Sequence, residues 1–166
     1  IGIMPMHEER PGLVYVHLYK ERNQLYCGVG HPYFNAVAGA VPHDDTISDK
    51  RHVLHGYKHT PLEQASNFGL TRDATSYSVE GTAMLILTGQ FLGFLPEHYA
   101  RNWVDRGEMK PVNTDRYFFD ANIVAAFQRG GDSNPVVKDL LDELTETLIK
   151  SVRQSESSHT LGGSAL

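Results

Sequence analysis

From residue 50 onward the chain alternates short strand-forming runs with capped, glycine-stopped helical segments, and this alternation admits few architectures. His52-Val53-Leu54-His55-Gly56-Tyr57 reads as a short strand. Thr60-Pro61-Leu62-Glu63 then sets an N-cap residue, Pro at the first helical position and Glu at the third, a capping box whose helix runs to about Phe68 and stops at Gly69. Ala74 to Ser78 reads as a strand, and Val79 to Thr88 as an apolar helix closed by Gly89. Phe91 to Leu95 is a fully apolar strand ending at Pro96, which starts a further helix stopped by Gly107. Met109 to Asn113 and Tyr117 to Phe127 read as strands. Asp132-Ser133-Asn134-Pro135 opens a last helix, with Val136, Val137, Leu140, Leu141, Leu144 and Leu148 on one stripe. Strands alternating with helices predict an α/β fold with parallel pairings.

The first fifty residues are less regular. Ile1-Gly2-Ile3-Met4-Pro5 predicts a short buried strand running into a turn, and so abrupt an opening predicts a piece of a longer chain. Leu13 to Tyr19 predicts a strand, Lys20 to Asn23 a polar break, and Gln24 to Gly30 a second strand stopped by His31-Pro32. Asn35 to Lys50 predicts a loop with a short helical turn. Residues 153–166, rich in Ser and Gly, predict a disordered tail.

Composition removes several functions. An apolar share of 40% supplies a core, while a net charge of −5 with no Lys/Arg cluster argues against nucleic-acid binding by this segment alone. No apolar run approaches the ~20 residues needed to span a bilayer, and no signal region opens the chain. The single cysteine, Cys27, excludes an internal disulfide framework and fits a reducing compartment, so a cytoplasmic location and no membrane partner are expected. His52, His55 and His59 have a spacing that would cluster on a helix, but Gly56 and Thr60-Pro61 make this stretch extended and put His52 and His55 on opposite faces. Gly28-Val29-Gly30-His31-Pro32 fails as a phosphate loop because Pro32 blocks the helix that must follow, and no Gly-x-Ser-x-Gly elbow occurs. No cofactor, metal site or catalytic constellation is expected; a metal-dependent hydrolase using the histidines is the most distant alternative.

The order of several weak motifs points further. A strand and polar break lead into a strand ending in His31-Pro32; later a helix runs into Gly89-Gln90-Phe91-Leu92-Gly93-Phe94-Leu95-Pro96. Gly107-Glu108-Met109-Lys110-Pro111-Val112 follows, then a return strand from Asn122 to Phe127 and the amphipathic helix from Pro135 to Lys150. Over roughly Ile1 to Ser151 this series resembles the C-terminal regulatory domain of LysR-type transcriptional regulators. One departure is at Phe91: the family more often carries two closely spaced glycines at this turn, and here Leu92-Gly93 shifts the second.

The resemblance implies a two-lobed fold like the type 2 periplasmic binding proteins, with two hinge-crossing strands and lobe one incomplete at the N-terminus. Residues 1–24 would then hold part of lobe one and the first crossing (near Leu18 to Gln24), and 25–116 lobe two. Residues 117–152 would hold the second crossing (near Tyr117 to Asn122) and the return to lobe one with its helix. It further implies a small-molecule effector between the lobes, a homodimer or homotetramer, and DNA contact only through an N-terminal helix-turn-helix absent from these residues. A free-standing periplasmic solute-binding protein of the same fold is the alternative.

Candidate effector contacts centre on the helix start at Thr60-Pro61, where free N–H groups and the helix dipole favour a small anion. Tyr57, Lys58 and His59 precede it and supply hydrogen bonds and positive charge; the resemblance places effector contacts on this segment, although an ordinary cap explains the same residues. Ser78 and Val79 open the next helix, where Ser78 serves as a cap, a ligand contact or both. Met4 and Pro5 follow the first strand and are expected at the cleft from lobe one. Phe119 either closes the cleft or belongs to the core.

Overall fold

A computed structural model describes the chain except at His7, residues 36–46, 48–49, 57–67, Gly69, 71–72 and 161–166, and without the side chains of His55 and residues 149–160. Among the described residues the elements run β1 (Gly2–Pro5), β2 (Leu13–Gly28), β3 (His52–His55), β4 (Ala74–Ser76), α1 (Val79–Leu87), β5 (Leu92–Pro96), α2 (Glu97–Asp105), β6 (Met109–Pro111), β7 (Phe118–Gln128), a single 3-10 turn (Gly131–Ser133) and α3 (Pro135–Thr160). The chain divides into two compact units: residues 1–20 with 121–166, and residues 21–120. It passes from the first to the second within β2, between Lys20 and Glu21, and returns within β7, between Asp120 and Ala121. In strand order the sheet reads β1-β7-β2-β5-β3-β4, with β6 also on β2.

The larger unit, residues 21–120, is built on the second half of β2. Asn23 to Tyr26 pair antiparallel with Pro96 to Gly93 of β5, and Tyr26 to Gly28 with Pro111 to Met109 of β6. Leu25 donates its N–H to Tyr117 and accepts from the N–H of Val112, at 3.0 and 2.8 Å. β3 lies parallel to both β5 and β4, while the pairings of β2 and β1 are antiparallel, so the sheet is mixed rather than parallel throughout. The chain reaches β5 from β4 through α1, a crossover of the kind that parallel strands need, and β6 from β5 through α2.

Side chains alternate across this sheet into two cores, as the two-residue period of a strand requires. Leu25, Cys27, Leu54, Leu92, Val112 and Tyr117 face one side, and Tyr26, Val53, Leu95 and Met109 the other. The second face is covered by α1 and α2, through Ala83, Ile86 and Ala100. Glycine makes the close approach of α1 possible. A Cβ on Gly28 would stand 2.2 Å from the Ile86 carbonyl oxygen, and one on Gly93 would stand 2.7 Å from Val53 Cγ1. The shifted glycine of the Phe91 turn thus lies in β5 beneath α1 rather than in the turn itself.

His52, on β3, is fully buried, and among the described residues neither ring nitrogen has a hydrogen-bond partner. Its backbone is well held: the N–H donates to Asp73 Oδ2 at 3.0 Å, and its carbonyl accepts from the Asp73 N–H at 3.1 Å. Burial pushes the imidazole down to about 4; the charge of Asp73 opposes the shift and that of His31 adds to it.

The smaller unit, residues 1–20 with 121–166, contains β1 paired antiparallel with β7, from Gly2 opposite Ala126 to Pro5 opposite Ile123. Its β7 residues Ile123 to Phe127 are buried, but β1 is exposed along its whole length, in contrast to the buried strand expected at this end. Asn134 caps α3, its Oδ1 accepting from the Val136 N–H at 3.0 Å ahead of the proline start. On the expected stripe Val137, Leu141, Leu144 and Leu148 are half-buried, while Val136 and Leu140 are exposed.

Two further readings of the sequence need correction. Lys20 to Asn23 do not interrupt a strand: β2 runs through them for 16 residues, because polar side chains without Gly or Pro continue an extended backbone where one unit gives way to the next. The helix α3 is continuous from Pro135 to Thr160, and residues 161–166 of the expected tail lie outside the described residues. Residues 117–128 form a strand only from Phe118, Tyr117 instead anchoring Leu25. The loop of residues 35–50 and the capped helix at Thr60 lie for the most part outside the described residues.

Two outcomes follow for stability. Gly28→Ala forces α1 off the sheet and lowers the unfolding free energy by about 1–3 kcal/mol, read by urea titration of Trp103 fluorescence, whereas Gly2→Ala, whose Cβ would meet nothing within 4 Å, leaves it unchanged. The unfolded imidazole of His52 takes a proton below its ordinary value of 6.5 and the folded one only below about 4. Stability is therefore full above pH 6.5 and falls as the pH drops toward 4, by up to roughly 3 kcal/mol. In urea midpoints measured across that range, His52→Leu flattens the decline.

Candidate functional site

The best-defined candidate is the start of α1. Ser76 and Ser78 set it up locally: the Ser76 hydroxyl donates to the Ser78 carbonyl at 2.8 Å and accepts from the Ser78 N–H at 3.3 Å. Ser78 is extended, and its hydroxyl accepts from the Gly81 N–H at 3.0 Å, so it caps the helix. Thr82 fastens the first turn by donating both its N–H and its hydroxyl to the Ser78 carbonyl, each at 3.1 Å. By position in the helix, Val79 and Glu80 point backbone N–H groups outward without a helical acceptor. Ser78 is exposed and Val79 half-buried. Glu80 adds negative charge to this turn, which favours the dipole and competes with an incoming anion.

Phe119 is the outer ring of an aromatic series. It tilts against Phe94 at 5.3 Å between centroids, Phe94 stacks on Phe68 at 5.9 Å, and Phe68 meets Tyr117 edge-on at 5.6 Å. Phe94, Phe68 and Tyr117 belong to the first core, and Phe119 extends it as a half-buried side chain. Met4 and Pro5 lie in β1 of the smaller unit, opposite Val124 and Ile123, with Met4 exposed. Ser78, Val79 and Phe119 belong to the larger unit. The segment Tyr57, Lys58, His59, Thr60 and Pro61 lies outside the described residues.

Two polar groups of the larger unit were not singled out from the sequence. Arg22 forms a two-pronged ion pair with Asp120, and His31 is buried where β2 ends, its Nδ1 accepting from the Tyr33 N–H at 3.2 Å. Burial, with the charge of Lys50, lowers the affinity of His31 for a second proton. The His-Pro pair marked the strand end, but nothing in its spacing shows that the imidazole turns inward. Cys27 donates to the Lys110 carbonyl at 3.6 Å, and burial pushes its thiol up to about 11, so it stays protonated. Among the described residues no three His, Cys, Asp or Glu side chains converge as metal ligands, and no helix is long and apolar enough to cross a membrane.

Against this geometry the comparisons are specific. Residues 1–149 match the family described as LysR substrate binding domain. The HTH-type transcriptional activator BauR of Pseudomonas aeruginosa is 33% identical over 142 residues, covering 86% of this chain and 46% of BauR, so the chain spans about half of that relative's length. The regulatory domain of CcmR from Synechocystis PCC6803, solved in complex with 2-PG, superposes with a TM-score of 0.68 at 17% identity, over 88% of this chain and 72% of that one. The regulatory domain of CrgA, a LysR-type transcriptional regulator from Neisseria meningitidis, gives 0.67 at 18% identity, over 88% and 74%. These structures share the fold: a mixed α/β domain of the type 2 periplasmic-binding-protein kind. With its family description matched across residues 1–149, the chain belongs to the LysR substrate-binding domain family.

Proposed function

We propose that this chain is the effector-sensing domain of a transcriptional regulator, binding a small anionic metabolite and passing the event to a DNA-binding helix-turn-helix outside these residues. The observation that carries the reading is the family match over residues 1–149, joined by 33% identity to a transcriptional activator. CcmR, of the same fold, was solved with 2-PG bound, which supports a small ligand for the domain.

In this reading Lys58, His59 and Tyr57 supply charge and hydrogen bonds ahead of the helix start that the sequence predicts at Thr60-Pro61, and Ser78 and Val79 offer a second helix start with outward N–H groups. Met4 and Pro5 contribute from the smaller unit, and Phe119 supplies an apolar edge to the bound molecule. The protein acts without catalysis, in the cytoplasm, as a homodimer or homotetramer. Binding works by population shift: a ligand that contacts one arrangement of the two units better than another raises the share of the first.

Calorimetry of the 166-residue chain against a panel of small carboxylates and phosphorylated metabolites tests this directly. One member is expected to bind saturably, and Lys58→Ala to weaken it about tenfold, equivalent to roughly 1.4 kcal/mol. Ser78→Ala weakens it less, since the cap loses a side-chain acceptor while the outward amides remain. No saturable binding across the panel, or affinity indifferent to both substitutions, would sink the site as drawn.

A further inference from the structure

The chain leaves the larger unit through two strands, and oppositely charged residues stand where it does so. Arg22 is the second residue of that unit on β2, and Asp120 is its last residue on β7. Arg22 Nε and Nη2 donate to Asp120 Oδ1 and Oδ2 at 2.9 and 3.3 Å, the paired geometry that a planar guanidinium makes with a carboxylate. The guanidinium carbon also lies 4.3 Å from the centroid of the Phe118 ring. Phe118 and Asp120, two apart on one strand, present their side chains to the same face, so a single arginine on the neighbouring strand engages both.

Other charges surround the pair. Glu97, at the start of α2, adds a second negative charge that faces Arg22, and Glu21 approaches His98 Nδ1 at 3.8 Å, an ion pair only with a protonated imidazole. Residues 18–23 and 118–123 contain neither Gly nor Pro, so the backbone offers no preformed weak point. β2 and β7 are hydrogen-bonded neighbours in the sheet, and side-chain contacts add to that ladder in setting which residues of the crossing are held.

We propose that the Arg22–Asp120 pair, seated on Phe118, is a charge clamp tying β2 to β7 where both leave the larger unit, so that bending is confined to residues 18–20 and 121–122. Its use in a ligand-driven movement rests on the effector-domain reading; the clamp itself does not. The side chains are 45% and 39% exposed, which makes the clamp weak, reversible and open to screening by salt.

Hydrogen exchange on the chain without any metabolite tests it, so failure here leaves the effector reading standing and the reverse also holds. Arg22→Met or Asp120→Asn alone is expected to speed amide exchange in both 18–23 and 118–122 by roughly two- to fivefold. The double variant goes no further than either single, and the reversal Arg22→Asp with Asp120→Arg recovers part of the protection. Raising salt from about 50 mM to about 1 M speeds exchange in the unaltered chain but not in the variants. This arm needs no substitution, and Trp103 fluorescence confirms that each variant remains folded. Single variants that loosen only their own strand, a double variant equal to the sum of the singles, or salt-independent exchange in the unaltered chain would each overturn the clamp.

Discussion

One uninterrupted strand, β2, is the constraint on which both units depend. Its 16 residues serve both units, and the backbone N–H and C=O groups of each half must find their partners there. Its first half is partly exposed and belongs to the smaller unit; from Asn23 onward every residue is buried. There Leu25 spends its N–H on Tyr117 and its C=O on Val112, Tyr26 sits between β5 and β6, and Gly28 ends the strand beneath Ile86. The return strand β7 makes the second passage, and the same strand's Ile123 to Phe127 supply buried apolar side chains to the smaller unit. Apolar residues thus lie where a unit needs a core, and the paired charges Arg22 and Asp120 lie where the chain crosses.

The buried chemistry of the larger unit is quiet at neutral pH. His52 is held neutral by burial, Cys27 is held protonated, and neither meets a partner that would activate it. Hydrogen-bonding capacity is instead turned outward at the start of α1, where Ser78 satisfies one amide and leaves its neighbours for solvent or a ligand. The unit's weak point is also identifiable, because the buried imidazole of His52 takes a proton only well below its ordinary value.

Much of the larger unit was legible because its signals are local. Gly89 and Gly107 stop helices, Ser78 caps one, and Pro96 marks the passage from β5 to α2, each by backbone chemistry confined to a few residues. What escaped was set by pairing at a distance. The polar run at Lys20 to Asn23 looks like a turn until Asp120 is placed beside Arg22, 98 residues away. The exposure of Ile1, Ile3 and Met4 is equally invisible to pattern, since an apolar strand reads the same whether or not other residues cover it. The candidate site was legible in part: the cap at Ser78 follows from its own sequence, whereas the ring series that receives Phe119 depends on Phe94 and Phe68 converging from separate segments.

Membership of the LysR substrate-binding family, two units joined by two strands, and an outward-facing helix start together make the case for a ligand-driven switch. Its central claim is that an effector changes the arrangement of the units. Spin labels at Asp139 on α3 and Arg101 on α2, both exposed and one in each unit, report that arrangement by pulsed dipolar spectroscopy. The account predicts that a saturating metabolite shifts or narrows the distance distribution between the labels. A metabolite that binds tightly while leaving the distribution unchanged would contradict it.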